Sequence, residues 1–199
     1  MQAQLDDLIQ SYLAHYPVDT LAFSVPGIAN QTTGRVDGVS SLRYIHDFDF
    51  VAYFKEKYQL PVFFENDANC ACKAEIHLGI AGDVKNALFI VIGTGVGGTI
   101  ISNGQIQPGE HAYGGEFGMM LVDGHRELSE LGSAVHMARK YSKNKGQEFT
   151  GEEVFALADA GEKEALAATD ELYHYLALGI YNLQYIIDPE YIVLGGGIT

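Results

Sequence analysis

The chain has 199 residues, 47% of them hydrophobic, which is enough to bury a sizeable core as one large domain or two small ones. Its formal net charge of −14 argues against gripping a nucleic acid, because that affinity rests on Lys and Arg neutralising phosphates. No apolar run approaches the roughly 20 residues of a membrane span, and MQAQLDDLIQ lacks a basic-then-apolar leader, so the cytoplasm is the expected location.

LDDLIQSYLAHY (5–16) carries apolar residues at helical spacing, and TLAFSVPG (20–27) reads as a strand entering a Pro-Gly turn. After a loop rich in Gly, Ser and Thr, DFDFVAYFKEKY (47–58) predicts an amphipathic helix and LPVFFE (60–65) a short strand. Two αβ units in succession predict a partly parallel sheet with functional loops at the C-terminal ends of its strands, where Pro26-Gly27 and Asn66-Asp67 fall. Residues 66–79 are helical in pattern, and Cys70 and Cys72 within them read as small buried side chains rather than a disulfide, redox or metal pair.

NALFIVIGTGVGGTIISNGQI (86–106) gives two apolar runs joined by glycines, closed by Asn103-Gly104, a strong hairpin signal. GGEFGMMLV (114–122) is expected to add a third strand. Helical patterns follow at 128–144, 151–160 and 163–187, the second opening on Thr150-Gly151-Glu152-Glu153 as a capping box. A last strand, YIVLGGG (191–197), ends in glycines. Such a loop normally leads into another element, so the sequence reads as cut from something longer, with an internal boundary near 65–70.

GTGVGG (93–98) formally satisfies GxGxxG, with Glu116 at about the distance of a ribose-binding acid. A dinucleotide site needs a helix after its glycines, and here the β-branched TIISNGQI follows. No Lys-Ser/Thr pair follows either, which excludes a Walker A loop. Two readings remain: exposed amides and the Thr94 hydroxyl forming an anion-binding nest, or a tight turn needing positive φ. Asp67 is similarly double. It is an acceptable helix N-cap, but Asn66 could serve as the cap. A carboxylate with no Lys or Arg until Lys73 would suit a general base.

In order and spacing, ENDAN (65–69), GTGVGG (93–98), GGEFG (114–118) and VLGGGI (193–198) together resemble the ROK family of bacterial sugar kinases and repressors, as does the SVPG turn at 24–27. The resemblance covers nearly the whole chain. It implies an α/β, actin-like, ribonuclease-H-like ATPase fold of two lobes around a cleft, incomplete at both ends, with 1–66 the remainder of the small lobe and 67–199 the large lobe. It makes Asp67 the base that deprotonates a sugar hydroxyl attacking the γ-phosphate of ATP. Asn66, Glu116, Glu127, Gly27 and Ser41 would bind the sugar. Gly93, Thr94 and Gly95 would face the phosphates, and Gly195, Gly196 and Gly197 the adenosine. Mg²⁺ would offset charge that an acidic chain cannot.

Three departures from the family pattern stand out. The DxGGT-like phosphate loop is absent and would belong upstream of Met1, so the 199 residues alone are not expected to be active. Met119 replaces a His that follows GExG, which bears on glucose preference. DGHRELSELG (123–132) has no cysteine, so no metal site and no structural zinc is expected, with His111 and His125 as exposed loop residues. Ser40 and His46 could contact substrate, or simply lie in a solvated loop. Likeness to zinc-lacking members favours a β-glucoside or N-acetylmannosamine, among hexoses and amino sugars. The expected partners are a small sugar and ATP, with no nucleic acid and no membrane; a homodimer through the apolar face of 163–187 and core packing explain that face equally. A sugar-binding regulator of the same family is the alternative function, and a dinucleotide oxidoreductase a remote one.

Overall fold

The computed structural model describes residues 1–38, 40, 42–79 and 84–197, which divide into two compact units, Met1–Cys70 and Ala71–Thr199. The first unit holds α1 (Gln2–Leu13), β1 (Leu21–Val25), β2 (Ile28–Asn30), β3 (Arg35–Asp37), α2 (Phe50–Tyr58) and β4 (Val62–Asn66). β1 and β4 pair in parallel, Leu21 with Val62 through Val25 with Asn66, and β2 and β3 form an antiparallel hairpin. Phe50, Phe54 and Tyr58 recur every four residues on α2, so one face carries all three rings. Phe50 and Phe54 are at most 1% exposed, and Phe23 meets Phe50 edge-on at 4.8 Å.

α2 starts three residues later than the pattern 47–58 suggests, because Asp49 caps it by accepting from the Ala52 amide. α1 is shifted the other way, ending at Leu13 with Ala14 as its cap. It docks through the buried Asp6, whose carboxylate accepts from Tyr53 at 2.6 Å and Tyr58 at 2.7 Å and pairs with Lys57 at 2.6 Å.

α3 (Asp67–Leu78) begins in the first unit and runs into the second. There follow β5 (Ala87–Ile92), β6 (Val96–Ser102), β7 (Gln105–Ile106), β8 (Leu121–Asp123), β9 (Arg126–Glu127), α4 (Leu128–Leu131), α5 (Ala134–Lys145), α6 (Gly151–Asp159), α7 (Lys163–Ile187) and β10 (Tyr191–Gly196). The main sheet has the order β10-β5-β6-β7, with β10 parallel to β5 and the rest antiparallel. β5 is buried on both faces, which explains its unbroken apolar run. Leu88, Ile90 and Ile92 pack in the core with Leu172, Leu176 and Val154, while Ala87 and Phe89 cluster with Cys72 and Ile101. Burial pushes the Cys72 thiol up to about 11, in keeping with a packing role.

The Asn103-Gly104 turn and the Thr150–Glu153 capping box form as expected. Two expectations change. Residues 114–118 are not strand: Gly115 has φ +101, and the chain enters a 3₁₀ turn at Phe117–Met119 before β8. The pattern at 128–144 is two helices, broken where Gly132 lies against Leu176 and the Ser133 hydroxyl starts α5 by accepting from the His136 amide at 3.3 Å. Among the described residues no helix is long and apolar enough to cross a membrane.

Candidate functional site

In the first unit, the parallel register sets Val25 beside Asn66, so the Pro26-Gly27 turn and the Asn66-Asp67 junction leave the same end of the sheet. Asn66 spends both halves of its amide here. Its Oδ1 accepts from the Asn69 amide at 3.1 Å, capping α3, and its Nδ2 donates to the Gly27 carbonyl at 3.0 Å. One N–H and one lone pair are left over.

Asn66 therefore caps α3, and Asp67, at the first helical position, is exposed. Asp67 Oδ1 accepts from the Ala68 amide at 2.9 Å. Its other oxygen makes no hydrogen bond or ion pair among the described residues, and a carboxylate in that state can accept a proton from a ligand.

Gly27 has φ +87, and a β-carbon there would lie 3.1 Å from both the Asp37 carbonyl and Val36 Cγ1 and 3.3 Å from His46 Cε1. His46 is committed to the scaffold. Its Nδ1 donates to the Val36 carbonyl at 2.9 Å, which leaves Nε2 to accept from the Ser40 hydroxyl at 2.8 Å. Ser41, the other expected sugar contact in this loop, lies outside the described residues.

In the second unit, the pairing of β10 with β5 sets Gly196 beside Ile92, so two glycine segments a hundred residues apart leave the sheet together: Gly93–Gly95, and the Gly195–Gly197 end of β10. Their glycines have different reasons to be there. A β-carbon on Gly196, at φ +116, would lie 2.1 Å from the Ile92 carbonyl, and one on Gly95 would lie 3.0 Å from Ser129 Oγ. One on Gly195 would make ordinary contact with Phe89 at 3.4 Å. Gly93 and Gly197 would meet nothing within 4 Å, and neither has positive φ. Thr94 is exposed beside them, and the Gly93 amide donates to the Gly95 carbonyl at 2.9 Å.

Gly98 has no part in that turn. It is in β6, and a β-carbon there would lie 2.4 Å from Phe117 Cδ2. Gly115 packs on the Gly98 carbonyl and Gly118 on the Val96 carbonyl, so GGEFG is laid across GTGVGG and fixes the half-buried Glu116 over β6. Ser129 ties the same place from a third segment, accepting from the Val96 amide at 2.9 Å and donating to its carbonyl at 3.3 Å. Sequence reasoning passed over Ser129, and a serine within ELSEL gives no signal of this role.

Glu127 is exposed at the start of α4, makes no capping bond and pairs with Leu121 across the β8–β9 hairpin. Its neighbour Arg126 anchors that hairpin to α7, bonding to Asp123 and to Tyr175, whose hydroxyl donates to Asp123 at 3.1 Å. Arg126 and then Tyr175 hold the Asp123 carboxyl below the usual range. His111, His125 and Met119 are all exposed.

The fold that carries these elements is the actin-like ATPase fold, and the chain belongs to the ROK family, whose profile matches residues 1–199. It is 38% identical over 192 residues to a β-glucoside kinase of Listeria monocytogenes, covering 92% of this chain and 65% of that protein. The chain thus spans about two thirds of the length of that relative. It superposes on a ROK family protein of Streptococcus pneumoniae in complex with sucrose with a TM-score of 0.85 and 38% identity, covering 98% of this chain and 68% of that one. It is also 26% identical over 207 residues to the xylose repressor of Bacillus subtilis, covering 98% of this chain and 53% of the repressor.

Proposed function

We propose that the chain forms the core of a cytoplasmic ATP-dependent sugar kinase, with 1–66 belonging to the small lobe and 67–199 to the large lobe. The carrying observation is that among the described residues no close neighbour and no positive φ calls for glycine at Gly93 and Gly197, which lie at adjacent strand ends. Open space above a bare backbone suits the close approach of a nucleotide.

In this reading Gly93, Thr94 and Gly95 cradle the phosphates, and Gly195 to Gly197 lie along the adenosine. Neither segment carries a Lys or Arg. That suits phosphates held by backbone amides, with Mg²⁺ supplying the charge compensation that phosphoryl transfer needs. Asp67 takes the proton from the sugar hydroxyl as its oxygen attacks the γ-phosphorus, and ADP leaves with the bridging oxygen. Asn66, Glu116, Glu127, Gly27 and Ser41 orient the sugar; of these, Asn66 and Gly27 are already bonded to each other. A β-glucoside is the favoured substrate class, given the similarity to the Listeria kinase.

The test is sugar-dependent ADP release by the full-length protein. Asp67→Asn should lose about 10²–10⁴-fold in kcat with little change in melting temperature, since Asn66 keeps the cap. Near-normal turnover by that variant would remove Asp67 from the chemistry. The similarity to a xylose repressor supports a second reading, a sugar-binding regulator. Saturable sugar binding with no ADP release from the full-length protein would favour it.

A further inference from the structure

The cations of this acidic chain are unevenly placed. Four of its twelve Lys and Arg residues, Arg126, Arg139, Lys140 and Lys143, line one hollow of about 380 Å³ in the second unit. Its walls come from α4, α5 and α7, and its floor includes the buried Leu131 and Leu172. Two acids share the lining, Glu130 and Glu171. Glu171 is already engaged: it accepts from Lys140 and lies 3.9 Å from Arg126.

Arg139 and Lys143 are different. They stand one turn apart on α5, both exposed, and no ion pair reaches either among the described residues. Like charges at that spacing repel, so the helix gains nothing from the pair. A second hollow of about 390 Å³, lined also by Gly146, Gln147 and one acid, Glu148, opens from the same two side chains. In a chain with a net charge of −14, two adjacent cations that no ion pair reaches among the described residues, set beside an apolar floor, suit an anion.

We propose that this groove binds a phosphorylated small molecule, with Arg139 and Lys143 on the phosphate and the Leu131–Leu172 floor under its uncharged body. A planar guanidinium matches two phosphate oxygens at once and the ammonium adds a point charge. The volume falls at the small end of the range of about 300–1,000 Å³ typical of ligand sites, which fits a sugar phosphate. Nucleic acid is disfavoured by the net charge. The binding does not depend on the kinase reading. Occupancy has a route to the β8–β9 hairpin, because Glu171 is shared between Lys140 in the groove and Arg126 beside Glu127.

The experiment is calorimetric titration of the full-length protein with glucose 6-phosphate, with inorganic phosphate and glucose as separate arms, at ionic strength held constant with KCl. Glucose 6-phosphate should bind saturably and inorganic phosphate more weakly. The double variant Arg139→Gln/Lys143→Gln should weaken glucose 6-phosphate binding at least tenfold, leaving the melting temperature and the glucose arm unchanged. Glucose 6-phosphate binding that survives the double variant belongs to another site and overturns the proposal. So does the absence of binding at millimolar ligand.

Discussion

Gly98→Ala and Gly93→Ala make the same chemical change five residues apart, and the structure gives them opposite consequences. At Gly98 the new methyl would sit 2.4 and 2.5 Å from Phe117 ring carbons and 2.6 Å from the Phe89 carbonyl. The ring is 5% exposed and hemmed in, and the carbonyl belongs to β5, where Ile90 is the partner of Gly98. Neither can retreat cheaply, so the cost should lie toward the top of the range of about 1–3 kcal/mol for overpacking. In a protein of this size that lowers the melting temperature by roughly 4–10 °C. Phe117→Leu should partly rescue it, with a coupling energy of about 1 kcal/mol, because only the ring part of the clash is relieved. At Gly93 the methyl meets nothing, so stability should stay within about 0.5 kcal/mol of wild type, while nucleotide affinity falls about tenfold or more. Thermal and urea unfolding of the full-length variants, with MgATP titration of each, reads both. Equal melting temperatures for the two variants, or undiminished nucleotide binding by Gly93→Ala, would refute the separation of structural from ligand-facing glycines.

Asn66→Ala removes the α3 cap and the tie to Gly27 together, and should cost about 1–2 kcal/mol by urea unfolding; it should raise KM for the sugar as well as lower kcat. Asp6 gives a pH dependence. Burial pushes its carboxyl up, but the bonds from Lys57, Tyr53 and Tyr58 outweigh this and bring it down to about 2. A carboxyl depressed in the folded state stabilises above its unfolded pKa of 3.8, and that contribution is lost as pH falls from there to about 2. The depression is worth at most about 2 kcal/mol, less for screening at the partly exposed Lys57, and Asp6→Asn should flatten that limb of the stability profile.

Most elements were legible because their periodicity was clean. The 163–187 helix has the bounds its pattern suggests, and the Asn103-Gly104 turn is set by two residues that tolerate positive φ. The failures share a cause. GGEFGMMLV looks like a strand by composition, yet Gly115 and Gly118 serve close approach to β6, and the contact partner of Gly115 lies seventeen residues back at Gly98. The break at Gly132-Ser133 was hidden in part in the same way, since a side chain at 132 would crowd Leu176, more than forty residues on, as well as the nearby Leu128 carbonyl. Within GTGVGG, Gly93 faces open space and Gly98 lies against Phe117 and the Phe89 carbonyl, and only tertiary neighbours tell the two apart.

The junction at 66–67 shows how local accounting settles which of two neighbouring residues caps α3, a choice that the residues leave open. Asn and Asp are about equally good N-caps, so either could have started α3. Asn66 takes the cap, and its amide has a donor left for Gly27, which a carboxylate at that position would lack. An Asp at 66 would face the Gly27 carbonyl with an acceptor, and the Pro26-Gly27 turn would lose its tie. With Asn at 66, the charge falls one residue later, on an exposed side chain with one oxygen unspent, and no part of the cap depends on its protonation state. For the base proposed at Asp67, this order leaves the α3 cap and the tie to Gly27 on Asn66, so that protonation of Asp67 touches only its own bond to the Ala68 amide.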